Sequence, residues 1–182
     1  MTEQAQLIAS VTPQSLTELL QGAGYRVNQT DQNGIVQLLS ASQGIGYAVR
    51  FGNAAGVEQG RYVDFTFSCA LRVQGELPAG LAELWNASRR FARLSVQGEF
   101  LVMEMDVVVA GVGHDHLRSQ LELWDRLLQE FIVYLRDYSQ HAARLQAQPE
   151  ATPRATPQAT PETMPEAAPE AVAEAVVEVP GQ

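Results

Sequence analysis

Two stretches of this chain alternate apolar and polar residues without a slip, and that pattern limits the fold more than any other feature. The first places Val63, Phe65, Phe67, Cys69, Leu71 and Val73 on one side, with Asp64, Thr66, Ser68 and Arg72 among the residues on the other. The second places Leu101, Met103, Met105, Val107 and Val109 on one side, with Glu104 and Asp106 opposite. Successive side chains of a strand point to opposite faces, so each stretch predicts a strand with one buried and one open face. Parallel strands covered on both faces read instead as continuous apolar runs. The expectation is an antiparallel sheet with helices packed on one side.

The remaining elements follow from local signals. Thr12 offers a hydroxyl N-cap and Pro13 a first helical residue, with Leu16, Leu19 and Leu20 on one face and Gly22 and Gly24 as a stop. Asp31-Gln32-Asn33-Gly34 separates two β-rich runs, Tyr25–Thr30 and Ile35–Ser40, and Asn-Gly there predicts a hairpin. Gly44 and Gly46 precede a strand over Tyr47–Phe51, and a glycine-rich loop leads to the alternating strand after it. Pro78 opens a second helix with Leu81, Leu84, Trp85, Ser88 and Ala92 on one stripe and Arg89, Arg90 and Arg93 largely off it. Strands around Ala92–Val96 and Phe100–Val109 are joined by Gln97-Gly98-Glu99. In the last helix Leu117, Leu121, Trp124, Leu128, Phe131, Leu135, Tyr138, Ala142 and Leu145 repeat at spacings of four and three. The predicted class is α+β, in the order α-β-β-β-β-α-β-β-α.

After Gln148 the composition changes. Prolines fall at 149, 153, 157, 161, 165 and 169, which removes one amide donor per helical turn and excludes a continuous helix. Six glutamates and one arginine leave this tail at −5, and it has no aromatic residue to bury. The expected division is a flexible N-terminus over 1–11, an α+β domain over 12–146 and a disordered Pro/Ala/Glu-rich tail over 147–182.

Chemistry is narrowed by what the chain lacks. All twelve basic residues are arginine, so no lysine Schiff base, phosphate-binding P-loop or kinase-type lysine is available. The single Cys69 makes neither an internal disulfide nor a four-cysteine zinc site, and its place between Phe67 and Leu71 predicts a core thiol. A net charge of −9 disfavours direct nucleic-acid binding. No apolar run approaches the ~20 residues that cross a bilayer, and the N-terminus carries no export signal. The cytoplasm is the expected compartment. His114-Asp115-His116 is a poor metal site, because neighbours two apart at a helix start diverge and His141 is some seven turns away.

The run Leu84-Trp85-Asn86-Ala87-Ser88-Arg89-Arg90-Phe91-Ala92-Arg93, the strand Phe100-Leu101-Val102-Met103-Glu104-Met105-Asp106, and Gly111-Val112-Gly113 before a leucine-tryptophan helix resemble the YbjN-like domain family of bacteria. The resemblance covers most of residues 12–140. It implies a sensory-transduction regulator, similar in fold to the chaperones that escort type III secretion effectors: small, acidic, usually homodimeric and without a catalytic centre. Gly111 and Gly113, split by valine, depart from the family's paired glycine.

The motif singles out a polar cluster of Asn86, Arg89, Arg93, Glu104 and Asp106. Helix arginines beside a strand carrying two carboxylates form either a lock between helix and sheet or a ligand pocket. Trp85, Phe91 and Trp124 are expected to be framework. The seam Leu128, Phe131, Leu135 and Tyr138 serves either packing on the sheet or contact with a second copy. Together these readings point to a non-catalytic, cytoplasmic, homodimeric module with a protein partner, no cofactor, no direct nucleic acid and no membrane. The alternative is a small-molecule sensor or enzyme with a pocket around Arg89, Asp106 and His114.

Overall fold

The computed structural model describes residues 7–57, 59–72, 77 and 79–147. Val73, Pro78 and the proline-glutamate tail lie outside the described residues, as do the side chains of Ala142 and Leu145 at the end of the long stripe. In chain order the elements are β1 (Leu7–Ile8), α1 (Pro13–Gly22), β2 (Asn28–Gln32), β3 (Ile35–Ser42), β4 (Ile45–Phe51), β5 (Asp64–Arg72), α2 (Leu81–Ser88), β6 (Arg93–Gln97), β7 (Phe100–Val108), β8 (Val112–Gly113) and α3 (His114–Ala147). Six strands form one antiparallel sheet in the order β2-β3-β4-β5-β7-β6. The α+β class is as expected, and two very short strands are added to the predicted order. Leu7 pairs with Gly113 and Ile8 with Val112, tying the start of the described chain to the start of α3.

Turn chemistry sets the register. Asn33 and Gly34 have φ of 57° and 78°, the two positive values of a type I′ hairpin, so β2 runs up to Gln32 and β3 begins at Ile35. Gln43 and Gly44 repeat the device between β3 and β4, at φ 51° and 84°. At the edge of the loop after β4, Gly52 has no room for a side chain: a Cβ there would stand 1.8 Å from Asp64 Oδ1. Asp64 uses that approach to accept from Asn53 N at 3.0 Å and Asn53 Nδ2 at 2.6 Å, which fixes the loop to the start of β5.

Helix ends obey their caps. Thr12 Oγ1 accepts from Ser15 N at 3.1 Å while Thr12 N donates to Ser15 Oγ at 2.9 Å, a reciprocal box ahead of Pro13. The second helix is shorter than its stripe predicts. Ser88 Oγ turns back onto Leu84 O at 2.7 Å, and Arg89 is already extended, so Arg93 belongs to β6 and not to a helix.

One core lies between the helices and the inward face of the sheet. Trp124 of α3 is fully buried, stacked on Phe67 of β5 with centroids 5.2 Å apart and edge-on to Tyr47 of β4 at 5.8 Å. Trp85 of α2 is likewise buried, edge-on to Phe131 and Tyr134 of α3. Leu16 and Leu20 bring α1 into the same cluster. Leu128 and Phe131, half of the stripe considered for contact with a second copy, are wholly buried inside the protomer and so cannot form that contact. The 4-3 spacing serves the sheet here, as it does on any helix whose apolar stripe faces a core. Leu135 and Tyr138 are half-buried, and Tyr138 donates its hydroxyl to Ala79 O at 2.8 Å. Phe91 departs from its expected framework role: it is 69 % exposed, with φ of 73°.

Candidate functional site

The helices leave the other face of the sheet open, and strand alternation puts a polar group at its centre. Ala48, Ser68, Glu104 and Arg93 stand side by side across β4, β5, β7 and β6. One step along the strands, Arg50, Thr66 and Asp106 form the next row. Glu104 is only 8 % exposed on this helix-free face, because guanidinium groups close over it from both sides. Arg50 Nη2 bonds Glu104 Oε1, and Arg93 Nη2 donates to Glu104 Oε2 at 3.3 Å. Arg93 also reaches Asp106 Oδ2 through Nη1 at 2.5 Å, and Thr66 Oγ1 donates to Asp106 Oδ1 at 2.6 Å. The bond from Arg93 holds the Asp106 carboxyl below its ordinary range. Three carboxylate oxygens are thus engaged by two planar, permanently charged forks, a geometry that lysine would not supply.

Beside this network lies a shallow depression of about 390 Å³. Gly46, Ala48, Ser68 and Ala70 give it a low floor, with Leu39 and Arg50 at its margins. Further out, Ile35, Phe100 and Val108 expose apolar side chains on the same face.

The residues singled out from the sequence separate into two groups. Arg93, Glu104 and Asp106 come together on the open face. Asn86 does not join them: its Nδ2 donates to Leu94 O at 2.9 Å and its Oδ1 accepts from Leu94 N at 2.8 Å, so its amide imitates a neighbouring strand against the edge of β6. Trp85 Nε1 adds a bond to Ala92 O at 3.0 Å. Arg89 lies in the helix layer, over the Trp85 ring and 3.8 Å from Glu130 of α3. A family model named YbjN, described as "Putative bacterial sensory transduction regulator", matches residues 12–137.

The chain belongs to the YbjN family. No curated protein and no solved structure matches it. In this YbjN domain the pocket considered around Arg89, Asp106 and His114 is not formed. Asp106 is on the open face, Arg89 is between α2 and α3, and His114 lines a cavity with β1 and α1. The alternation of β7 makes the separation unavoidable, since Asp106 must point away from the helices that carry the other two. Among the described residues no group of three or more His, Cys, Asp or Glu is arranged to hold a metal ion, and no helix is long and apolar enough to cross a membrane. Cys69 is buried, and burial pushes its thiol up to about 11. Such a thiol is a poor nucleophile at neutral pH.

Two members of the polar network, Arg50 and Thr66, escaped the sequence reading. The signal for them was present. Tyr47, Val49 and Phe51 mark the inward positions of β4, which leaves Arg50 outward, and Thr66 is outward by the alternation already noted for β5.

Proposed function

We propose that this YbjN protein is a cytoplasmic, homodimeric regulator that works without covalent chemistry, by holding a segment of another polypeptide against the open face of its sheet. The observation that carries this reading is the ion-pair network of Arg93, Glu104 and Arg50 beside a depression floored by glycine, alanine and serine. Binding is favoured when the receptor is ordered beforehand, and here both guanidiniums are fixed by an internal carboxylate before any partner arrives. Arg50 is half exposed and keeps unused N–H donors toward solvent. The small floor residues let a main chain approach closely, while Leu39 supplies apolar contact at the margin and Phe100 further out on the same face. A fitting segment is extended, with small apolar side chains and a carboxylate facing Arg50.

The test is a pull-down with the full chain from the lysate of its own source, with retained species identified by mass spectrometry. Polypeptides held by the wild type are expected to be lost with Ala48→Arg and Ala70→Arg, which fill the depression, and kept with Arg126→Glu on α3. Retention of metabolites alone, or of the same polypeptides by all variants, rejects the reading.

A small-molecule sensor is the second reading, favoured by one observation. A cavity of about 410 Å³, within the size range of ligand pockets, lies among Ile8, Leu16, Leu19, Arg61 and His114. Native mass spectrometry of protein purified from its source decides it: a bound metabolite released by Leu19→Trp supports the sensor.

A further inference from the structure

We infer that a second copy of this chain occupies the cleft between α2 and α3, with Phe91 of each copy seated in the cleft of the other. The inference rests on the homodimeric part of the proposed function and names the surface that would carry it.

Phe91 is the odd residue of the turn between α2 and β6. A bulky side chain at φ of 73° is strained, and strain persists where the surrounding structure or a partner makes use of it. The angle closes a tight turn from α2 into β6, in which Ala92 N donates to Arg90 O at 3.0 Å, but the ring itself gains nothing within the protomer: it is 69 % exposed and takes part in no aromatic contact among the described residues. The geometry pushes an apolar ring into water.

Two residues away a receptacle begins. Arg89 closes one side of a cleft of about 270 Å³ whose other wall is α3: Gln129, Glu130, Val133, Tyr134 and Asp137. Positions 130, 133, 134 and 137 are one stripe of a helix, so the wall reads acid, apolar, aromatic, acid. Val133 is exposed there, and Gln129 Nε2 is a buried donor without a partner among the described residues.

Charge decides the occupant. Neither Arg90, next to the ring, nor Asp137, at the far lip of the cleft, has a side-chain partner among the described residues. A ring entering over Val133 and Tyr134 carries Arg90 toward Asp137. Because Arg89 belongs to the cleft and to the segment bearing Phe91, projection and receptacle share one surface of the molecule. Such a surface is self-complementary about a two-fold axis: each contact is made twice and the pair closes. The cleft lies in the helix layer, so the contact leaves the open sheet face free.

Sedimentation of the full chain at micromolar concentration tests this. The wild type is expected to be a dimer. Phe91→Gly should weaken it by ~10-fold or more, as removal of a central aromatic does, while the melting temperature of the dissociated chain stays the same or rises, because glycine takes positive φ freely. That opposition separates lost contact from lost fold. Arg90→Asp and Asp137→Arg should each weaken association, and both together in one chain should restore it. A monomeric wild type overturns the inference, and the polypeptide-binding reading then stands or falls by its own pull-down. A dimer indifferent to these substitutions also overturns it, leaving homodimer formation intact through another face.

Discussion

The two faces of the sheet are built by the same strands to opposite ends. On the covered face Phe65, Phe67, Cys69, Met103 and Met105 pack beneath Trp124 and Trp85, and order comes from volume and exclusion of water. On the open face Arg50, Arg93, Asp106 and Thr66, in contact with solvent, gather around the covered Glu104 carboxylate and are ordered by direction and charge. The contrast teaches that alternation encodes more than which side the helices take. It also fixes a polar pattern whose cost in desolvation is tolerated although apolar residues of similar size would fill the same place.

The contrast can be broken by substitution. Trp124→Ala removes the stack on Phe67 and should cost about 3–5 kcal/mol in urea unfolding, a large part of the stability of a domain this size. Asn86→Ala, between the two regimes, removes both bonds to Leu94 and should cost about 2 kcal/mol, with faster hydrogen exchange confined to β6 and α2. Glu104→Ala should cost only about 1 kcal/mol, since its two arginines are half exposed and water can take over their solvation. Glu104→Leu sharpens the point: stability equal to or above wild type, together with lost polypeptide binding, marks the carboxylate as retained for recognition.

The smallest effect is confined to alkaline solution. The buried Cys69 thiol ionises at about 11 when folded, above its value in the unfolded chain, so its contribution is complete below the unfolded value and disappears as pH rises through the folded one. Burial shifts Tyr47 the same way, and burial and the bond to Asp125 shift Tyr25 likewise. Melting temperature should be flat near neutrality and fall above pH ~9, less steeply in Cys69→Ala. Asp106 acts in the opposite sense, its contribution present at neutral pH and lost on acidification through its lowered folded value.

The fold was readable where the signal was local. Period-two runs, the Asn33-Gly34 turn and the Thr12-Pro13 cap each name an element and one of its ends. What escaped depends on contacts distant in sequence. β1 and β8, two residues each, exist only because they meet, and no window of sequence displays that. The limit of α2 was hidden in the turned-back hydroxyl of Ser88, so Arg89 and Arg93 were grouped although they serve different layers. Of the polar cluster, Arg93, Glu104 and Asp106 were legible from motif and alternation, whereas pairing with Arg50 required the register across β4, β5 and β7. The exposure of Phe91 follows from a backbone angle that its identity argues against.

The amide of Asn86 has a consequence beyond holding a helix in place. By filling the outward N–H and C=O of Leu94, it denies a foreign strand one of the pairing sites on that border of the sheet. Growth by strand addition remains open at β2, on the far border. A fibril needs two compatible ends, and Asn86 narrows one of them.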